Sequence, residues 1–231
     1  MISVAAQPYP FIFPAGRTAL MCIDFQRDFL EPGGFGESLG NDVIRLRSAI
    51  APTAAVLARF RAHGWPVVHT REGHRPDLSD LFPAKHDRGR PSLRIGADGP
   101  MGRLLVRGSA GHDIIPELTP VPGEVVVDKP GKGAFYATDL ETILRAREIT
   151  HLVFTGVTTE VCVQSTTREA NDRGFECLVL SDCTASYVPE FHDSALAMIS
   201  AQGGIVGWVT DHAELLCAIA QSDLDPQECR S

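Results

Sequence analysis

The chain has 231 residues, 44% hydrophobic and 22% charged, so it carries enough apolar side chain to offset the entropy of a packed core, which excludes disorder as its main state. Its 21 Lys and Arg against 29 Asp and Glu leave a formal charge of -8, which argues against a nucleic-acid backbone as principal partner, because phosphate binding needs a basic face. No run approaches the roughly 20 continuous apolar residues of a membrane span, and an N-terminus broken by Pro8, Pro10 and Pro14, without a basic start, does not read as a signal peptide. The expectation is a cytoplasmic protein with one domain over residues 1–220 and a polar tail over 221–231.

In chain order, Thr18 to Asp24 is a short apolar run ending in an acid and reads as a buried strand. Residues 41–63 read as helix, with Val43, Leu46, Ile50, Ala54, Leu57 and Phe60 at three- and four-residue spacing, which Pro52 kinks or splits. Gly64 stops it, and Pro66 to Thr70 is a second strand. Residues 71–116 form a long irregular excursion, rich in Gly and Pro, holding His74, Arg75, Arg88, Arg90, Arg94, Arg103 and Arg107. Loops of this length are commonly functional or interface-forming, and a solvated basic excursion is the plainer reading. Then follow a strand at Glu124 to Asp128, a helix over 138–148 with Thr138 as N-cap, and a strand at His151 to Thr155. A helix over 160–173, a strand at Glu176 to Ser181, a helix over 191–202, a strand at Ile205 to Val209 and a helix over 211–220 complete the alternation. Six short apolar strands separated by helices predict an α/β fold: a three-layer α/β/α sandwich with a mainly parallel six-stranded sheet.

The six cysteines make no C-x-x-C pair and match no zinc spacing. In a cytosolic chain they stay reduced, and each reads as a small buried hydrophobe unless its context says otherwise. Context singles out Cys162. In a parallel sheet ligands sit outside the carboxyl ends of the strands. Asp24 ends the first strand, Lys129 follows the third, and the fourth runs through Gly156-Val-Thr-Thr-Glu-Val-Cys162 into a helix. An acid, an amine and a thiol thus meet at one sheet edge. A thiolate is the nucleophile; a helix start and Lys129 stabilise it, and Asp24 accepts the thiol proton and later returns it to a leaving amine. Taken singly, Asp24 also reads as a turn cap, Lys129 as a solvated strand end and Cys162 as core.

Three blocks carry a resemblance: Cys-Ile-Asp24-Phe-Gln-Arg-Asp28-Phe, Asp128-Lys129-Pro-Gly-Lys132-Gly-Ala-Phe135 and Thr155-Gly-Val-Thr-Thr-Glu-Val-Cys162-Val. With them the chain resembles the isochorismatase-like cysteine hydrolases over nearly its whole length. Within that superfamily it looks most similar to biuret and triuret hydrolases, through His69 to Leu78, Ala137 to Leu140 and Arg168 to Gly174. The resemblance implies a catalytic set of Asp24, Lys129 and Cys162 and a cis peptide between Val157 and Thr158. It also implies an oxyanion hole from the backbone N–H groups of Thr158 and Cys162, a pocket wall at Phe29, and substrate hydrogen bonds from Lys132 and Gln202. Tyr187, which follows the fifth strand, is assigned from position alone to pocket length.

Nicotinamidases of the superfamily hold a metal through an Asp-x-His pair and a further His. Here the stretch is Glu72-Gly-His74, with no second His in register although His86 lies downstream, so no metal and no cofactor is expected. Glu72 and His74 are instead expected to organise the excursion through Arg71 or Arg75. The implied reaction is hydrolysis of a terminal C–N bond in a small linear ureide, biuret or triuret, with release of ammonia. Competing substrates are ureidoacrylate, N-carbamoyl compounds and nicotinamide; a carboxylate substrate would need a clamp such as Arg27, Arg71 or Arg75. A non-catalytic binding module is a remaining reading, which the presence of all three catalytic residue types opposes. The family further implies a homo-oligomer, a dimer or tetramer.

Overall fold

The computed structural model describes residues 1–89, 92 and 94–224. Strands β1 (Ile2–Val4) and β2 (Phe11–Phe13) pair antiparallel, each burying its outer two residues and exposing the middle one. Strand β3 (Thr18–Ile23) is followed by short helices α1 (Arg27–Leu30), α2 (Phe35–Ser38) and α3 (Ile44–Arg47), then by α4 (Ile50–Ala62) and β4 (Val67–Glu72). The excursion holds α5 (Pro83–His86) and a two-stranded ribbon of β5 (Asp98–Gly99) and β6 (Gly102–Arg103). Next come β7 (Val125–Lys129), α6 (Leu140–Ala146), β8 (His151–Val157), α7 (Gln164–Asp172) and β9 (Glu176–Ala185). The chain closes with α8 (Pro189–Gly204), β10 (Trp208–Thr210) and α9 (His212–Leu224).

Six strands form one parallel sheet in the order β10-β9-β8-β3-β4-β7. Burial along β3 shows why this chain needs helices on both faces. All six of its residues are buried; Leu20 and Cys22 join one apolar cluster with Leu57, Phe60 and Leu215, while Ala19, Met21 and Ile23 join the other with Leu140 and Phe154. Successive strand side chains point to opposite faces, so an uninterrupted apolar strand demands a cover on each side. The expected three-layer fold is the one observed.

Element limits differ from expectation where local chemistry decides. The single helix read over 41–63 is two, and Pro52 lies in the first turn of α4, where its missing N–H has no intrahelical partner to lose. The strand expected over 205–209 is β10, which starts three residues later, at Trp208, because Ile205 caps α8, and ends one residue later, at Thr210. The helix expected to stop at 220 continues to Leu224, so Gln221 to Leu224 of the expected tail are helical, and residues 225–231 lie outside the described ones. Among the described residues no helix is long and apolar enough to cross a membrane.

Candidate active site

Four neighbouring strands, β8, β3, β4 and β7, end at one sheet edge, and each delivers one charged or nucleophilic side chain there. Asp24 follows β3, Glu72 ends β4, Lys129 ends β7, and Cys162 sits in the single π-type turn Thr159–Val163 that follows β8. All four are buried, Asp24, Glu72 and Lys129 completely.

Backbone contacts fix this group. Asp24 has a left-handed backbone (φ 51), a conformation its short polar side chain tolerates better than most. Its N–H lies 3.2 Å from both the carbonyl oxygen and Oγ1 of Thr70, and Thr70 Oγ1 donates back to Asp24 Oδ1 at 2.6 Å. Gln26 clamps the end of β4: its Oε1 accepts the Glu72 N–H at 2.6 Å, and its Nε2 donates to the carbonyls of Glu72 (2.9 Å) and His112 (3.1 Å). The Val157–Thr158 peptide is cis.

The charges are paired closely. Lys129 Nζ lies 2.7 Å from Asp24 Oδ2 and 4.0 Å from Glu72 Oε2, and it donates to the carbonyls of Gly131 and Lys132 at 3.0 Å. Lys132 Nζ is 2.7 Å from Glu72 Oε1. Lys85, carried by α5 of the excursion, reaches the same oxygen at 3.3 Å, His74 Nε2 at 3.1 Å and the Pro130 carbonyl at 2.7 Å. The Cys162 thiol donates to Glu72 Oε2 at 3.5 Å.

These distances set the proton affinities. Burial works to raise the Glu72 carboxyl, but the ammonium groups of Lys129, Lys132 and Lys85 together outweigh it and bring the value down to about 2. Burial also works to lower Lys129, and Asp24, Cys162 and Glu72 reverse that, holding it above the usual lysine value. For Cys162 burial prevails: the thiol is pushed well above its ordinary value, with Lys129 opposing and the Asp24 and Glu72 carboxylates adding to the rise. Burial thus favours the thiol over the thiolate, and attack by this sulfur calls for a base to take its proton.

A cavity of about 190 Å³ opens onto Cys162. Phe29, Phe35, Leu39, Val157, Val161 and Tyr187 form its apolar wall, and Asn41, Glu72, Lys132, Thr158 and Glu160 its polar part. The Tyr187 hydroxyl is engaged by the Phe29 carbonyl at 2.9 Å, which ties the two wall residues together. The structure thus brings Asp24, Lys129, Cys162, Thr158, Phe29, Lys132 and Tyr187 to one place. It does not bring Gln202 there: that residue is exposed at the break that ends the regular part of α8, with φ 52, and does not line the cavity.

The expected role of Glu72 and His74 is corrected. Neither pairs with Arg71 or Arg75; Arg71 Nε binds Asp128 at 2.7 Å, because residues 71 and 72 alternate to opposite faces of β4. The donor set does not fit a metal ion either. The Lys85 ammonium already lies between Glu72 and His74, and each carboxylate of the buried Asp24, Glu72 and Cys162 group has a lysine partner. Sequence reasoning missed Glu72 as a neighbour of the thiol. The rule that found Asp24 and Lys129 would have found it, had the second strand been read two residues past Thr70.

The isochorismatase domain family matches residues 18–214. Over 225 residues the chain is 35% identical to the ureidoacrylate amidohydrolase RutB of Methylobacterium radiotolerans, covering 94% of this chain and 85% of that protein. A cysteine hydrolase from Pseudomonas syringae pv. phaseolicola 1448A superposes with a TM-score of 0.79 at 26% identity, covering 92% of this chain and 96% of the other. An N-carbamoylsarcosine amidase from Thermoplasma acidophilum does so with a TM-score of 0.66 at 25% identity, covering 86% and 98%. None of these is a biuret or triuret hydrolase, so they do not support the finer likeness expected from the sequence.

Proposed function

The chain belongs to the isochorismatase family, and from that premise we propose that it is a cysteine amidohydrolase that cleaves a C–N bond at the carbamoyl carbon of a small ureido compound. The observation that carries this reading is the buried Cys162 thiol at the end of a small cavity, within reach of two carboxylates and the Lys129 ammonium. The substrates in the names of the two relatives, ureidoacrylate and N-carbamoylsarcosine, share a carbamoyl group on nitrogen with biuret and triuret. Ureidoacrylate has the 35% identical relative in its favour. An uncharged ureide is favoured by the lining: Arg27 is held by Glu31 at 2.7 Å, Arg71 by Asp128, and Arg75 is exposed, so among the described residues no arginine reaches the cavity to clamp a carboxylate.

In the proposed reaction the sulfur of Cys162 attacks the carbamoyl carbon while its proton passes to Asp24. The carbonyl electron pair moves to oxygen, facing the backbone N–H groups of Thr158 and Cys162. The oxygen pair then returns, one C–N bond breaks, and the departing nitrogen takes the proton, leaving an acyl group on sulfur. Lys129 stabilises negative charge on sulfur throughout. Asp24, fixed by Thr70, takes a proton from the water as its oxygen bonds the acyl carbon, and returns that proton to sulfur as the C–S bond breaks, which restores the thiol. Acid quenching during turnover, followed by peptide mass spectrometry, should find the acyl adduct on the Cys162 peptide. Turnover with adduct on no cysteine, or on another one, contradicts the reading.

A further inference from the structure

Glu160 stands two residues before Cys162, inside the π-type turn Thr159–Val163 that presents the thiol. The turn is pinned to the cis peptide by its own backbone, the Val161 and Val163 N–H groups donating to the Thr158 carbonyl at 3.2 and 3.3 Å. Glu160 therefore lines the cavity at Cys162 from a fixed stretch of chain.

The polar groups of that lining differ in what they have left to offer. Glu72 is taken up by Lys132, Lys85 and the thiol, the Lys132 ammonium by Glu72, and the Tyr187 hydroxyl by the Phe29 carbonyl. Glu160 Oε2 is buried and accepts no hydrogen bond among the described residues. His192 does not serve it: burial lowers the proton affinity of that ring, the Asp193 and Glu160 charges oppose this, and its Nδ1 is engaged by Thr159 Oγ1 at 2.8 Å. The charge also reaches the cavity wall. Burial raises the Tyr187 hydroxyl above the usual tyrosine value, and Glu160 heads the charges that add to the rise. A buried acceptor without a donor bears its desolvation cost uncompensated, and a ligand that brings an N–H relieves it.

We infer that Glu160 is a specificity-determining residue of the cavity: its carboxylate accepts hydrogen bonds from the N–H groups of an uncharged ureide and repels a substrate that carries a carboxylate. This rests on the reading of Cys162 as the nucleophile of a ureido hydrolase. Biuret and triuret end in an amide on both sides, so each end offers two N–H donors. Ureidoacrylate and N-carbamoyl amino acids have one such end and a carboxylate, which only accepts and is negative. In a cavity of about 190 Å³ that carboxylate stays close to Glu160, and like charges held close in a partly buried site repel strongly. Lys132, the one cation in the described lining, is already paired with Glu72. Such a site discriminates sharply, because the wrong substrate leaves the buried acceptor unpaired.

Glu160→Gln keeps the size of the side chain and one acceptor oxygen while removing the charge. The test compares kcat/KM for biuret and triuret with kcat/KM for ureidoacrylate and N-carbamoylglycine, in wild type and variant. The uncharged ureides should lose about tenfold, as a charge-assisted hydrogen bond becomes a neutral one, and the carboxylates should gain about tenfold as the repulsion goes. A turn that is merely loosened would slow both classes alike and leave their ratio unchanged. A ratio within about threefold of wild type, or a wild type that prefers the carboxylates, would overturn the inference.

A measurement on the wild type alone stands if Glu160→Gln fails to fold. Malonamide has the two terminal amides of biuret about a methylene, and malonamate has a carboxylate in place of one of them. Malonamide should protect Cys162 from iodoacetamide at a concentration about tenfold lower than malonamate does. Equal protection by the two would overturn the inference. Failure of the underlying reading looks different: a wild-type protein inert toward every ureido compound, or a Cys162→Ser variant that still turns over, overturns both.

Discussion

Lys129 has no exposed surface, and its Nζ lies 2.7 Å from an equally buried Asp24. Removing one partner of such a pair leaves an uncompensated charge, so Lys129→Met should destabilise the protein by about 3–5 kcal/mol in urea unfolding. An effect below about 1 kcal/mol, the size typical of surface ion pairs, would show that the pair is not buried as described. The same contrast explains which site residues the sequence reveals. Asp24, Lys129 and Cys162 are legible because each stands where an apolar run ends at the sheet's carboxyl edge. Glu72 escapes because Arg71 interrupts the apolar run and ends the strand early on paper. Lys85 is legible by no local signal: its reach to Glu72 depends on how the excursion folds back over the end of β7.

Strand β8 carries the thiol turn, and its last residues run against β3 at very short range. A Cβ on Gly156 would lie 2.3 Å from the Ile23 carbonyl oxygen, and Gly156 has φ +135, a region that side-chain-bearing residues rarely enter. Gly156→Ala should therefore cost about 2 kcal/mol or more and displace the turn that presents Cys162, so stability and Cys162 alkylation should fall together. An unchanged unfolding midpoint would contradict the close approach. Long apolar elements such as β3 and α4 follow from periodicity. The hairpin of β1 and β2 does not, because three-residue strands carry too little pattern to separate from a Pro-broken coil. Strand β9 runs to Ala185 although the apolar run pauses at Ser181 and Asp182; sheet pairing with β8, which shifts register between Phe154 and Gly156, carries it past the polar pair.

For the molecule as a whole, the site concentrates three ammonium groups and two carboxylates inside a chain whose formal charge is -8. Glu72 has its folded value lowered from 4.5 to about 2, so its stabilising contribution is fully present above the unfolded value and is lost as pH falls through the folded one. Stability should decline between about pH 4.5 and pH 2 by about 3 kcal/mol from this fully buried group alone, and Glu72→Gln should remove that part of the decline. An acid limb identical in wild type and variant would show that the three lysines do not hold Glu72 ionised. The same charges bear on substrate choice, since among the described residues the only cation lining the cavity, Lys132, is engaged by Glu72 and offers little to a carboxylate.

The central claim is carbamoyl hydrolysis by Cys162. Its most direct test is ammonia release from biuret, triuret, ureidoacrylate, an N-carbamoyl amino acid and nicotinamide, with wild type and Cys162→Ser side by side. The account predicts turnover of at least one of the four carbamoyl compounds, lost in the variant by about 1,000-fold or more. Turnover of nicotinamide alone, or of any substrate by Cys162→Ser at the wild-type rate, would contradict it.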